Sequence, residues 1–201
     1  MTREELLKIA KPVLFNTEMV IAILEDRKTA TRRIVKPQPQ GYFEVNDNPL
    51  YIYDSNLPPA RIAPLIQAGD YLYVRETWCN WADDIGNNFF YKATDDGVDG
   101  FSPKWKPSIH MPKEAARIFL KVTDVRVERL QDMVKEDFEK EGVIDICDGC
   151  GTPRDFCDCC GGLEEEFIGL WDSTIKKADL DKYGWEANPY VWVIEFDRVE
   201  V

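Results

Sequence analysis

Glu25-Asp26-Arg27-Lys28-Thr29-Ala30-Thr31-Arg32-Arg33 sits where a helix gives way to a strand, and four cations fall within the seven residues from Arg27 to Arg33. Like charges repel, so such a cluster costs free energy unless an anionic or electron-rich group is held beside it. Taken alone, the run also reads as a solvated basic edge strand. Lys28 and Thr31 are three residues apart, an odd spacing that places them on opposite faces of a regular strand. If the two act together, the backbone must still be turning at Lys28 and become a strand only near Thr31.

On the N-terminal side, Thr2 and Glu5 have capping-box spacing for a helix over 2–10, which Pro12 ends. Val13 to Phe15 reads as a short strand. Asn16 or Thr17 caps a second helix running to about Glu25, with Met19, Ile23 and Val20, Leu24 at helical spacing. On the C-terminal side, Pro37 to Pro64 is rich in proline and reads as a surface excursion with short strands. Gly69-Asp70 turns into a strand over Tyr71–Trp78, with Val74, Glu76 and Trp78 in one phase, and Phe89 to Ala93 is its expected hairpin partner. Ala115 to Leu130 is a long β run with room for a bulge near Thr123-Asp124. A helix over 131–141 follows, stopped by Gly142. A helix over 164–177 presents Phe167, Leu170, Trp171 and Ile175 on one face, and Tyr190 to Phe196 forms the last strand, extending toward Val201. About six strands without βαβ alternation predict an α+β domain, a mixed β-barrel with peripheral helices, over 1–201.

The chain of 201 residues carries 37 Asp+Glu against 25 Lys+Arg, a formal net charge of −12. This excludes tight, sequence-independent binding of long nucleic acid, which depends on many phosphate contacts. A small basic pocket on an acidic body remains open, because residues 11–37 hold six Lys/Arg against three Asp/Glu. The first residues lack an apolar signal core, and no run nears the roughly 20 apolar residues of a membrane helix. The expectation is therefore a soluble, cytoplasmic protein. His110, the single histidine, reads as a structural loop residue.

Five of the six cysteines fall between Cys147 and Cys160. In a reducing compartment such clustering points to metal rather than disulfides. Cys147-x-x-Cys150-Gly151 and Cys157-x-Cys159-Cys160-Gly161 make two knuckles inside an insert over 143–162. The expected ligands are Cys147, Cys150, Cys157 and Cys160, with Cys159 able to replace Cys160. Four thiolates suit a closed, structural tetrahedral Zn²⁺ site, with a rubredoxin-type iron centre as the alternative. Cys79, outside this cluster, reads as a small buried hydrophobe.

Together these blocks resemble the ASCH domain, a relative of the PUA fold. The resemblance rests on Arg27-Lys28-Thr29-x-Thr31-x-Arg33, Gly69-Asp70-Tyr-Leu-Tyr-Val-Arg75-Glu76-Thr77-Trp78 and His110-Met111-Pro112. Leu130-Gln131, Glu141-Gly142, Leu170-Trp171-Asp172 and Asn188-Pro189-Tyr190-Val191-Trp192 extend it over nearly the whole chain from Lys11. It is the longer version, common in bacteriophages and prophages. The resemblance implies a PUA-like barrel with flanking helices that binds RNA, a nucleoside or a (modified) nucleotide. One branch of small amidohydrolases deacetylates N4-acetylcytidine with a Lys, a Thr three residues on and a helix-ending Glu; the matching positions here are Lys28, Thr31 and Glu141. A non-catalytic interaction protein of phage biology is the further alternative. Family members often carry Gly where this chain has Asp26, and this chain is about twice as long as those hydrolases.

Amide hydrolysis needs an activated nucleophile, a proton donor for the leaving amine and a stabilised oxyanion. Lys28 serves as nucleophile or base once neutral, and burial beside Arg27, Arg32 and Arg33 favours that form. Thr31 can position water or take the acyl group, and Glu141 can shuttle the proton. Arg27, Arg33, Glu76, Trp78, Tyr91 and Trp192 are the candidate binding residues, the rings as stacking platforms for a base. The alternative roles are structural: an ion pair between Lys28 and Glu141, a pair of Glu76 with Arg33 or Arg75, and core positions for Trp78 and Trp192.

Overall fold

The structure is a computed structural model describing residues 1–40, 42–47, 50–56, 61–83, 86–95, 103–144, 146–147, 149–153, 156 and 162–201. Among the described residues the helices and strands follow in chain order: α1 (Arg3–Ile9), β1 (Lys11–Leu14), α2 (Thr17–Leu24), β2 (Ala30–Ile34), β3 (Glu44–Asp47), β4 (Leu50–Tyr53), β5 (Arg61–Ile62), β6 (Tyr71–Arg75), β7 (Trp78–Asp83), β8 (Gly86–Tyr91), β9 (Phe119–Arg129), α3 (Lys135–Lys140), α4 (Leu163–Thr174), α5 (Leu180–Tyr183) and β10 (Tyr190–Val199). The class is α+β. The described strands lie in open sheets, and none of these closes into the expected barrel. Two compact units divide the chain. The first comprises 1–26, 69–122 and 196–201, and the second 27–68 and 123–195.

In the first unit, Thr2 and Glu5 close the expected capping box on α1, and the Asn16 side chain caps α2 by accepting from the Met19 N–H at 2.8 Å. Strand β1 runs parallel to β6, and β6 pairs antiparallel with the start of β9, Tyr73 opposite Phe119. Leu6, Met111, Ala115 and Phe119 form a core with Tyr73 and Trp78. The single strand expected over 71–78 is broken. Strand β6 ends at Arg75, and Trp78 begins β7, whose partner is β8 with Trp78 opposite Tyr91. The break coincides with Glu76, whose buried carboxylate turns to Arg117, so its phase match with Val74 and Trp78 misleads. Asp26 has φ +57°, the left-handed region where glycine is at ease and Asp is tolerated.

In the second unit, β10 pairs antiparallel with β2, Trp192 opposite Arg33 and Ile194 opposite Thr31. The proline-rich excursion builds its own antiparallel sheet, β3-β4-β5, which accounts for strands beyond the six expected. The helix expected over 131–141 starts late. Leu130–Asp132 is a 3₁₀ turn, and α3 begins only at Lys135, with the Val134 N–H donating to the Asp137 side chain at 3.1 Å. Gly142, at φ +89°, ends it as expected. Phe138 of α3, Phe167 and Trp171 of α4, and Val191 and Val193 of β10 share one core with Leu130 and Trp185. That core fixes α3 beside β2. Gln38 adds a clasp, donating to the Val35 and Tyr190 carbonyls and accepting from the Tyr190 N–H.

Candidate functional site

Regular strand geometry starts at Ala30, so Lys28 lies in the irregular segment before it, where strand alternation does not fix its direction. The register places Thr31 and Arg33 on one face of β2 with Trp192 and Ile194 of β10. Arg32 takes the other face, with Val193 opposite it, toward α3. On α3, Asp137 and its C-cap Glu141 are four apart, so both carboxylates share the face toward Arg32.

The basic stretch stitches the end of this helix. Arg27 Nη1 donates to the Gly142 carbonyl at 2.8 Å, Lys28 Nζ to the Glu141 carbonyl at 2.8 Å and the Thr29 N–H to the Lys140 carbonyl at 2.9 Å. The last carbonyls of a helix have no partner within it and carry a partial negative charge. Three consecutive residues therefore supply donors to three consecutive carbonyls, which explains part of the cation clustering.

Lys28 also reaches the Glu141 side chain, Nζ to Oε2 at 2.6 Å. Arg32 Nη1 holds the other oxygen, Oε1, at 3.3 Å. Arg32 Nη2 lies 3.3 Å from Asp137 and 3.6 Å from Glu128. The Lys28 and Arg32 side chains are 0% exposed, and that of Glu141 4%. Among the described residues, neither Arg32 Nε nor Nη2 makes a hydrogen bond. Burial lowers the Lys28 pKa from its ordinary value, Glu141 opposes this, and Arg33 and Arg32 reinforce it. Arg33 is lowered as well, first by burial and against the pull of Glu141. Around this core, Arg126 bonds Glu195 at 2.8 Å and also pairs with Glu128 and Asp124, while Lys140 bonds Glu195 at 3.3 Å. Burial alone would raise the Glu195 pKa, but the bonds from Arg126 and Lys140 bring it below the ordinary value.

Thr31 and Trp192 are buried on the strand face described above. Glu76, Trp78 and Tyr91 belong to the first unit. There Arg117 grips both oxygens of Glu76, at 2.9 and 2.8 Å, and donates to Thr94 at 3.0 Å. Its guanidinium lies 4.0 Å from the Tyr91 ring centre. The Tyr91 hydroxyl donates to the Ala115 carbonyl at 2.6 Å, and burial raises its pKa. Glu76 thus pairs with Arg117, not with Arg33 or Arg75. Trp78 packs in the core, with Lys106 Nζ 4.7 Å from its ring centre. His110 is an exposed 3₁₀-turn residue, and Cys79 is buried, which raises its thiol pKa.

Cys147 is buried and Cys150 exposed. Beyond Cys150 the backbone turns. Gly151 has φ +71°, its N–H donates to the Cys147 carbonyl at 2.8 Å, and Ile146 pairs with Pro153. Cys157, Cys159 and Cys160 lie outside the described residues. Among the described residues, no group of three or more His, Cys, Asp or Glu side chains is placed to hold a metal, and no helix is long and apolar enough to cross a membrane.

Arg32 is the site residue that the sequence reading counted only as a cation beside Lys28. The signal for it was present: a cation in strand alternation with Thr31 and Arg33 must face the opposite way, into whatever packs there. No family model matches the sequence, and no curated protein or solved structure matches it either.

Proposed function

We propose that the chain is an ASCH-type, PUA-like protein that binds a modified nucleoside or nucleotide and hydrolyses an N4-acyl amide on its cytosine ring. One observation carries this reading: Lys28 and Glu141, 113 residues apart in sequence, meet at 2.6 Å with both side chains buried. They are two of the three residues the resemblance implies for catalysis. Thr31, the third, begins a strand face that continues with Arg33 and Trp192, a hydroxyl, a cation and a ring in neighbouring positions.

The chemistry adds water across the amide. Glu141 as carboxylate takes a proton from water, and the oxygen attacks the acyl carbon. The C–N bond breaks as Lys28 gives a proton to the exocyclic nitrogen. Glu141 then returns its proton to Lys28 across their contact, and acetic acid leaves and ionises. Arg33 offers its charge to the oxyanion, and Trp192 a face to the base. Arg27, engaged with Gly142, anchors the stretch.

A second reading, binding of a nucleotide or short single-stranded RNA without turnover, is favoured by the carboxylates and helix carbonyls that already engage these cations. Acetate release from N4-acetylcytidine separates the two. Hydrolysis predicts turnover that Lys28→Ala abolishes, and a flat trace from pure, folded protein would sink it. Binding alone predicts nucleoside affinity that survives Lys28→Ala better than Trp192→Ala. The setting that fits either reading is the cytoplasm of a bacterium carrying a phage or prophage.

The same reading places a structural zinc on Cys147, Cys150, Cys157 and Cys160. Its support is the cysteine spacing and the knuckle turn at Gly151. A closed Cys₄ site stiffens the insert and supplies no reaction chemistry. Metal analysis of protein prepared without chelator is expected to give about one zinc per chain for such a site; no zinc or iron rejects it.

A further inference from the structure

Glu141 has two oxygens and each is taken by a different cation. Lys28 holds Oε2 at 2.6 Å and Arg32 holds Oε1 at 3.3 Å. Lys28 is further tied to the carbonyl of the same residue at 2.8 Å, so its ammonium has little freedom to follow a moving carboxylate. Arg32 is fully buried and bridges three carboxylates, Glu141, Asp137 and Glu128, within 3.3–3.6 Å. Its Nε and Nη2 nonetheless make no hydrogen bond among the described residues. A buried donor left unbonded is costly.

We propose that Arg32 is a positioning residue for the pair: by holding Oε1 it divides the Glu141 carboxylate between two cations and leaves Lys28 a single oxygen. This deepens the hydrolase reading and rests on it for its purpose, though not for its geometry. Divided in this way, Glu141 presents a fixed edge to a reacting water, and Lys28 is released to give up a proton. The charged groups facing the pair are Arg33 on β2, Glu128 on β9 and Asp137 on α3, besides Arg32 itself. Arg126, Lys140, Asp124 and Glu195 form the outer ring. Arg33 persists in every variant considered below, so the Arg32 contribution is isolated.

The test follows the Lys28 side chain by NMR, through its ¹³Cε and ¹⁵Nζ shifts, across pH in the full-length chain. In Arg32→Gln, Lys28 gains the whole carboxylate and loses a repelling neighbour, so its titration midpoint rises by about one pH unit. In Arg32→Lys an ammonium cannot bond Oε1 and reach Asp137 and Glu128 together, so the midpoint rises part of the way. The alkaline limb of kcat/KM for N4-acetylcytidine moves with it. A midpoint in Arg32→Gln equal to that of the parent chain overturns the proposal. If that variant fails to fold, Arg32→Lys decides, and an unchanged midpoint there overturns it. A shifted midpoint without acetate release keeps Arg32 in this role and removes the hydrolase reading; acetate release with an unshifted midpoint does the reverse.

Discussion

Two buried glutamates, one in each unit, meet their cations in opposite ways. Glu76 is 1% exposed and receives a two-pronged grip from Arg117, whose side chain is 26% exposed, lies over Tyr91 and spends a further donor on Thr94. Glu141 is about as buried, but its oxygens go to separate cations, both withdrawn from water, and one of these has donors that bond nothing among the described residues. A carboxylate and guanidinium in fork geometry satisfy each other and tend to be structural. A lysine competing with an arginine for one carboxylate is held less firmly and is easier to deprotonate. The pairing geometry, more than the burial, separates a strut from a candidate reaction centre.

Truncation at Glu141 has the largest expected effect on stability. Glu141→Ala leaves Lys28 and Arg32 buried with too little counter-charge, and urea unfolding is expected to show a loss of about 3–5 kcal/mol. Glu76→Ala should cost less, about 1–3 kcal/mol, because Arg117 can turn its exposed edge to water. Equal losses at both positions would erase the distinction drawn above.

Replacing both members of the second unit's pair sharpens it further. Lys28→Met with Glu141→Leu removes two buried charges together and is expected to be neutral or stabilising by up to about 4 kcal/mol. Such a variant should fold and yet release no acetate. A double variant as unstable as Glu141→Ala would show that the pair holds the fold together.

The pH dependence has a definite sign. The Lys28 pKa is lowered in the folded chain, so the unfolded chain binds the extra proton between the lowered value and the ordinary 10.5. Stability attributable to Lys28 therefore rises with pH through that window. Glu195 acts at the other end. Its folded pKa lies below the ordinary 4.5, so its contribution is present above 4.5 and is lost as pH falls through the folded value. Comparing parent chain and Lys28→Met by thermal unfolding should show the parent gaining stability relative to the variant as pH rises toward 10.5. The smallest effect is at Asp26. Asp26→Val is expected to cost about 1–2 kcal/mol for its left-handed backbone, and Asp26→Gly to be tolerated.

Much of the local structure was legible because single residues decide it. Asn16 caps α2, Gly142 stops α3, and the Phe167 and Trp171 stripe places α4 against the core. The meeting of Lys28 with Glu141 came from family resemblance rather than spacing, since nothing local connects residues 113 apart. The break at Glu76 was hidden because a buried charge on its own Arg mimics strand alternation. Short strands were expected within Pro37 to Pro64, but their pairing into the sheet β3-β4-β5 was not, although Ile52 and Ile62 face inward across it. Arg32 was read only as a charge beside Lys28 because its partners, Glu128, Asp137 and Glu141, arrive from elements nearly a hundred residues away or more.

The seam between Arg27–Thr29 and the carbonyls of 140–142 contains one backbone donor, the Thr29 amide on Lys140. That proton is a gauge built into the chain. Its exchange with deuterated solvent reports how often the loop lifts away, in a residue that neither titrates nor reacts. Anything that seats against this seam should slow its clock, so occupancy can be timed without labelling the occupant or knowing its identity.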